Sequence, residues 1–186
     1  MSFHLVVIPL AIVVLLVAWI VAIYNKIITL ENRIDNAWGQ IDVQLKRRAD
    51  LIPNLVETVK GYASHEKTVL ENVTRARAAL MSAGSREEAN AADNLLTGAL
   101  KSLFAVAEAY PDLKANQNFL RLQDELTHTE NKVSFARQHY NDSVLEYNNT
   151  VETIPSRFVA GPMGRAEKKM LEIEPAARET PRVSFG

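Results

Sequence analysis

The chain has 186 residues, with 21 basic and 22 acidic side chains and a formal net charge of −1. That balance gives no general attraction to nucleic acid or to acidic substrates. The absence of cysteine excludes disulfides, thiolate metal sites and thiol chemistry.

The first stretch, Phe3 to Tyr24, contains no Asp, Glu, Lys or Arg. About 20 apolar residues at 1.5 Å rise each cross the roughly 30 Å hydrocarbon core. Backbone polar groups in lipid must pair within the segment, so the stretch is predicted to be helical. Trp19 and Tyr24 lie toward its end, where amphipathic rings favour the headgroup level. Met1-Ser2-Phe3-His4 carries no Lys or Arg, and the apolar run exceeds a signal-peptide core. The reading is therefore a retained anchor. Lys26 and Arg33 follow the span and no basic residue precedes it, which puts the N-terminus outside and the domain in the cytoplasm.

After the span the apolar residues form a stripe: Ile27, Leu30, Ile34, Ala37, Ile41 and Leu45. Steps of three and four mark a coiled-coil-like helix seam. Pro53 removes one helix hydrogen bond, so a kink is expected, with the stripe running on through Ile52, Leu55 or Val56, Val59 and Tyr62. Asn54, or Arg48-Ala49-Asp50, could stabilise that kink. Gly61 loosens the helix, and Ser64 is the expected N-cap of the next one, with its seam at Val69, Val73, Ala76 and Leu80. Gly84-Ser85 breaks this run, and Ser85 is placed to cap a helix from Arg86. Its stripe is Ala92, Leu96, Ala99 or Leu100, Leu103, Val106 or Ala107, and Tyr110. Tyr110-Pro111 begins a connection. A long helix follows from about Gln117 to Thr150 through Phe119, Leu122, Leu126, Thr129, Val133, Ala136, Tyr140, Ser143 or Val144, Tyr147 and Val151. The core is expected to hold Leu45, Ile52, Val59, Leu103, Leu126, Val133 and Tyr140.

Pro155 ends the regular region. Beyond it a short helix is expected around Arg165–Leu171, with the last 15 residues extended or disordered. This tail, with Phe158-Val159-Ala160 and Met163 before Arg165, Lys168 and Lys169, is read as a contact element outside the core. The organisation is thus residues 1–2, a short N-terminus; 3–24, a transmembrane helix; 25–155, a helical bundle; and 156–186, an irregular segment. The fold class is all-α, one membrane helix continuing into an elongated antiparallel bundle.

Two stretches carry more than periodicity. The first comprises Tyr24-Asn25, Asn36-Ala37-Trp38, Gln44 and the run from Arg48 to Tyr62. The second comprises Leu122 to Leu126, Thr129 to Lys132, Ala136-Arg137, Tyr140-Asn141, Tyr147-Asn148 and Pro155-Ser156 before Val159-Ala160. Together they closely resemble the LemA family of bacterial membrane proteins, over essentially the whole chain. The resemblance implies a short N-terminus, one membrane helix, an elongated bundle and no established enzymatic activity. It also implies that some relatives take part in magnetosome formation, and that neighbouring genes often encode membrane metalloproteases or other membrane proteins.

The residues offer little chemistry. His65-Glu66 opens like a zinc-protease helix, but Val69 stands where the second histidine belongs. Glu125-Leu126-Thr127-His128 has the Glu-x-x-His spacing of di-iron bundles, without the second copy such a site needs. No phosphate loop or nucleophile elbow occurs. No catalytic, cofactor or metal residue is assigned. Lys46-Arg47-Arg48 lies roughly 36 Å past Tyr24 along a straight helix, several Debye lengths from any headgroup. Solvated charges with one or two interhelical ion pairs are expected there. Trp38 and Tyr62 are read as core. Tyr140 and Tyr147, each followed by an asparagine, could fix helix register or line a partner interface.

The function expected is a single-pass, membrane-anchored, non-enzymatic scaffold or adaptor in the bacterial inner (plasma) membrane. Its partners would be the lipid bilayer, other membrane-associated proteins and a second copy of itself, with no nucleic acid. A membrane-remodelling or self-assembling protein is the alternative, and a metal-binding bundle enzyme the third reading.

Overall fold

The computed structural model describes residues 2–172, with side chains from Val6 onward. Among the described residues there are six helices: α1 (Ser2–Lys60), α2 (Lys67–Met81), α3 (Arg86–Ala107), α4 (Pro111–Lys114), α5 (Gln117–Glu152) and α6 (Arg157–Ala160). No strand occurs among the described residues. The described residues divide into two compact units, the first from residues 2–37 and 139–170, the second from 38–138 and 171–172.

In the first unit, α1 changes character along its length. The large apolar side chains of Val6–Val21 stand mostly exposed on every side of the helix, and this stretch is long and apolar enough to cross a membrane. Burial begins at Ile27 and continues through Leu30, Ile34 and Ala37, the seam read from the sequence. The seam closes against Tyr140, Val144, Tyr147 and Val151 of α5 and against Ala160. Glu31 with Tyr147, and Arg33 with Glu146, set an antiparallel register between the two helices.

The end of this unit differs from expectation. Residues 165–171 form no helix; the short helix is α6, before them. Gly164, at φ +67°, turns the chain out of it. The Arg165 N–H bonds the Ala160 carbonyl at 3.1 Å and the Gly164 N–H bonds that of Gly161 at 3.0 Å. This is a Schellman closure, and its left-handed position suits glycine. The Asn148 side chain then grips the following strand of chain, accepting from Lys168 N–H at 2.9 Å and donating to Lys168 C=O at 2.9 Å. Ala160 is buried in this unit, and Leu171, which belongs to the second unit, is buried as well, so the described part of the tail contributes to packing rather than lying outside it. The expectation for the last 15 residues falls, from residue 173, outside the described residues.

In the second unit, α1 supplies Ile41, Leu45, Ile52, Leu55 and Val59, α2 Leu70, Val73, Ala76 and Leu80, and α3 Ala92, Leu96, Leu100 and Leu103. From α5 come Phe119, Leu126 and Val133. All seven residues expected in the core are buried. Ser85 caps α3 as expected, its hydroxyl accepting from Glu88 N–H at 3.1 Å. Ser64 does not cap α2, which starts at Lys67 with Glu66 at the N-cap and no side-chain bond. The phase of α1 is not carried through this turn, so Leu70 rather than Val69 opens the α2 seam. Tyr62 is exposed and its hydroxyl accepts from Asn116; Trp38 is half-buried, with the Arg86 guanidinium 5.6 Å from its ring centre. Neither is a core residue, because each ring reaches a polar neighbour at the rim.

Pro53 does not end α1. It has no N–H, so the Ala49 carbonyl one turn earlier loses its intrahelical donor. The replacement comes from another helix: Arg77 of α2 donates its Nε–H to Ala49 O at 2.8 Å. Asn54 and Asp50 are both exposed and do not fill that role.

Candidate functional site

The centre of the second unit is polar. Arg48 and Asp93 are each 1% exposed, and Arg137 is 8% exposed. They come from α1, α3 and α5, at positions where the apolar seams of those helices meet. Arg48 Nη1 donates to Asp93 Oδ1 at 2.6 Å, and Arg137 Nη2 to Asp93 Oδ2 at 2.8 Å. Arg48 also donates to Thr97 Oγ1 at 3.0 Å and, through Nη2, to Glu130 Oε2 at 3.2 Å. Arg137 Nη1 donates to Asn94 Oδ1 at 3.1 Å. Two buried cations thus meet one buried and one half-exposed carboxylate.

The expected interhelical ion pairs form, and Lys46 and Arg47 are solvated, Arg47 pairing on the surface with Glu125 at 2.8 Å, but Arg48 is buried rather than solvated. The reason is helical phase. Arg48 lies three residues after Leu45 and four before Ile52, and Arg137 lies four after Val133 and three before Tyr140, so both ride the buried stripe. Ala136, expected on that stripe, is only half-buried.

Each Asp93 oxygen is held by its own arginine, and the carboxylate is buried away from solvent. Buried ion pairs add little net stability but are costly to break, and their best-attested use is to fix which helices pair in which register. A smaller cluster does similar work in the first unit. Glu31 accepts from Arg165 at 3.0 Å, with Lys168 at 3.4 Å and the Tyr147 hydroxyl at 3.5 Å. Burial first, and then the Glu31 charge, push the Tyr147 phenol above its usual value.

The other singled-out residues are scattered. His65 and His128 are exposed; Glu66 bonds the Tyr110 hydroxyl at 3.0 Å, and that bond holds the Tyr110 phenol above its ordinary value. Among the described residues no three His, Asp or Glu side chains converge as a metal-binding group. An open, mostly apolar groove of ≈740 Å³ runs beside α2, lined by Val56, Leu70 and Ala78 together with Lys60, Lys67 and Arg75. Ser64, Glu71 and Thr74 also line it, and no hydrogen bond shown ties these three to one another.

A helical domain carried on a long apolar helix, with its polar side chains spent on helix pairing, defines an all-α protein without a catalytic constellation among its described residues. The LemA family profile matches residues 37–185, and the chain belongs to that family. It is similar to Protein LemA of Metamycoplasma hominis, with 27% identity over 73% of this chain and 63% of that protein. It is also similar to Magnetosome protein MamQ 2 of Paramagnetospirillum magneticum, at 22% identity over 92% of this chain and 72% of the relative. Magnetosome protein MamQ of Magnetospirillum gryphiswaldense matches at 23% identity over 87% of this chain and 68% of the relative. The chain thus spans just under two thirds of the length of the LemA protein it matches.

Proposed function

We propose that this protein is a non-enzymatic scaffold or adaptor, anchored by α1 in the bacterial inner membrane with its helical domain in the cytoplasm. One observation carries the reading: α1 exposes apolar side chains all round up to Tyr24, then continues unbroken into a helix with one buried face. A helix apolar on every side needs lipid or a large core around it. Confinement at the bilayer raises the effective concentration of the domain for membrane-bound partners without any new contact. Lys26 and Arg33 on one side of the span, with no basic residue on the other, support the cytoplasmic orientation.

The test has two arms. The chain should stay with the membrane after alkaline extraction, and cysteine introduced at exposed Ser82 should resist an impermeant thiol reagent in intact cells. Release by alkali removes the anchor; ready labelling reverses the orientation. Crosslinking from the anchored protein should then recover membrane-associated partners. A second reading is a membrane-remodelling or self-assembling protein, and the likeness to magnetosome proteins over most of the chain is what keeps it. A homo-oligomeric mass in mild detergent, with no other protein captured, selects it.

A further inference from the structure

We infer that the turn after α5 forms a second contact with the bilayer, in which Ile154 and Phe158 enter the headgroup–acyl boundary beside the span. This rests on the proposed anchoring by α1 and adds a site to it. Glu31 faces Tyr147 and Arg33 faces Glu146, so a step toward the start of α1 matches a step toward the end of α5. Seven residues back from Glu31 is Tyr24, and seven on from Tyr147 is Ile154. The register therefore brings Ile154 level with the tyrosine that ends the apolar span. Burial agrees, since α1 passes from 47% exposed at Tyr24 to 0% at Ile27, where the first unit begins to cover it.

The segment at that level is two-faced. Val151 and Ala160 are buried against the unit, whereas Ile154 is 73% and Phe158 71% exposed. From Thr153 to Ala166 there is no Asp or Glu, and Arg157 stands exposed between the two apolar residues. Exposed Lys26 lies near the same level on α1, with exposed Glu152 at the end of α5 and Glu31, already paired with Arg165, one to two turns further on. Apolar side chains with interleaved cations are the chemistry of an anionic lipid surface. Water would leave Ile154 and Phe158 unfavourably hydrated, while a bilayer whose surface lies at Tyr24 covers both.

The chain has no cysteine, so single sites can be spin-labelled in the full-length protein. Ile154→Cys, Phe158→Cys, Val13→Cys and Leu145→Cys would each be labelled and reconstituted in phosphatidylcholine–phosphatidylglycerol vesicles. Collision with oxygen reports acyl surroundings, and collision with a water-soluble nickel chelate reports water. Leu145 is exposed and lies about 14 Å along α5 from the level of Ile154, so it serves as the aqueous reference. The expected result is an oxygen-to-nickel ratio at 154 and 158 several-fold above that at 145, approaching the value at 13. A deep label at 13 with aqueous labels at 154 and 158 overturns this inference alone. An aqueous label at 13 overturns the anchor and this inference with it. Labels at 154 and 158 shielded from both reagents mean that a protein, not lipid, covers the turn, and also overturn it.

Discussion

Arg77 should matter to this protein because of a proline it never touches. Pro53 leaves the Ala49 carbonyl without its intrahelical donor, and Arg77 donates to it at 2.8 Å from the neighbouring helix. An unpaired, largely buried carbonyl costs about 1–3 kcal/mol. Arg77→Met keeps much of the apolar stem and removes the donor, so a loss of about 1.5 kcal/mol is expected. For a chain of this size that lowers the thermal midpoint by roughly 3–6 °C. Pro53→Ala restores an N–H at the position that bonds Ala49 O and removes the interior-proline strain. In that background Arg77→Met should cost little, a coupling of about 1 kcal/mol between the two positions. The assay is helical circular dichroism of the four proteins in detergent under thermal and urea unfolding. Equal losses from Arg77→Met with and without Pro53 would refute the reasoning and leave Arg77 as a packing residue.

Asp93→Ala leaves two buried guanidinium groups without their shared carboxylate and should destabilise by about 3–5 kcal/mol, whereas replacing Arg48, Asp93 and Arg137 together with Met, Leu and Leu should recover most of that loss in the same unfolding assay. Deleting residues from Ser156 onward should lower the midpoint, because Ala160 and Leu171 leave the core and the Asn148 amide loses both its partners; an unchanged midpoint would show that the tail packs without contributing. Tyr147 has a folded pKa above its usual value of 10.0, so its contribution is present below about pH 10 and is lost as pH rises through the folded pKa. The Tyr147→Phe protein should therefore lose less stability than the parent between pH 9 and 11 in denaturant titrations, and parallel losses would contradict it.

The sequence by itself determined the helices and their buried faces. Seams such as Ile27-Leu30-Ile34 and Leu126-Val133-Tyr140 repeat with the period of a helix, and a charge-free run of about 20 residues has one economical solvent. The Ser85 cap was legible for the same local reason, since it depends on residues only three apart. Arg48 was read as solvated and Arg137 was left off the α5 seam, because charge alone argues for water and the sequence does not show what neutralises them. That partner, Asp93, lies 45 and 44 residues away, and only the register among α1, α3 and α5 brings the three together. The donor for the Ala49 carbonyl was hidden likewise: local sequence pointed to Asn54 or Asp50, and a neighbouring helix supplied Arg77. The tail was misjudged because its glycines and prolines rule out a continued helix yet say nothing of whether an irregular chain packs. Asn148, through two backbone hydrogen bonds to Lys168, holds it against α5. Periodicity is a property of one segment, whereas the partner of a buried charge or a freed carbonyl belongs to the way segments meet, and that is settled only when the helices pack.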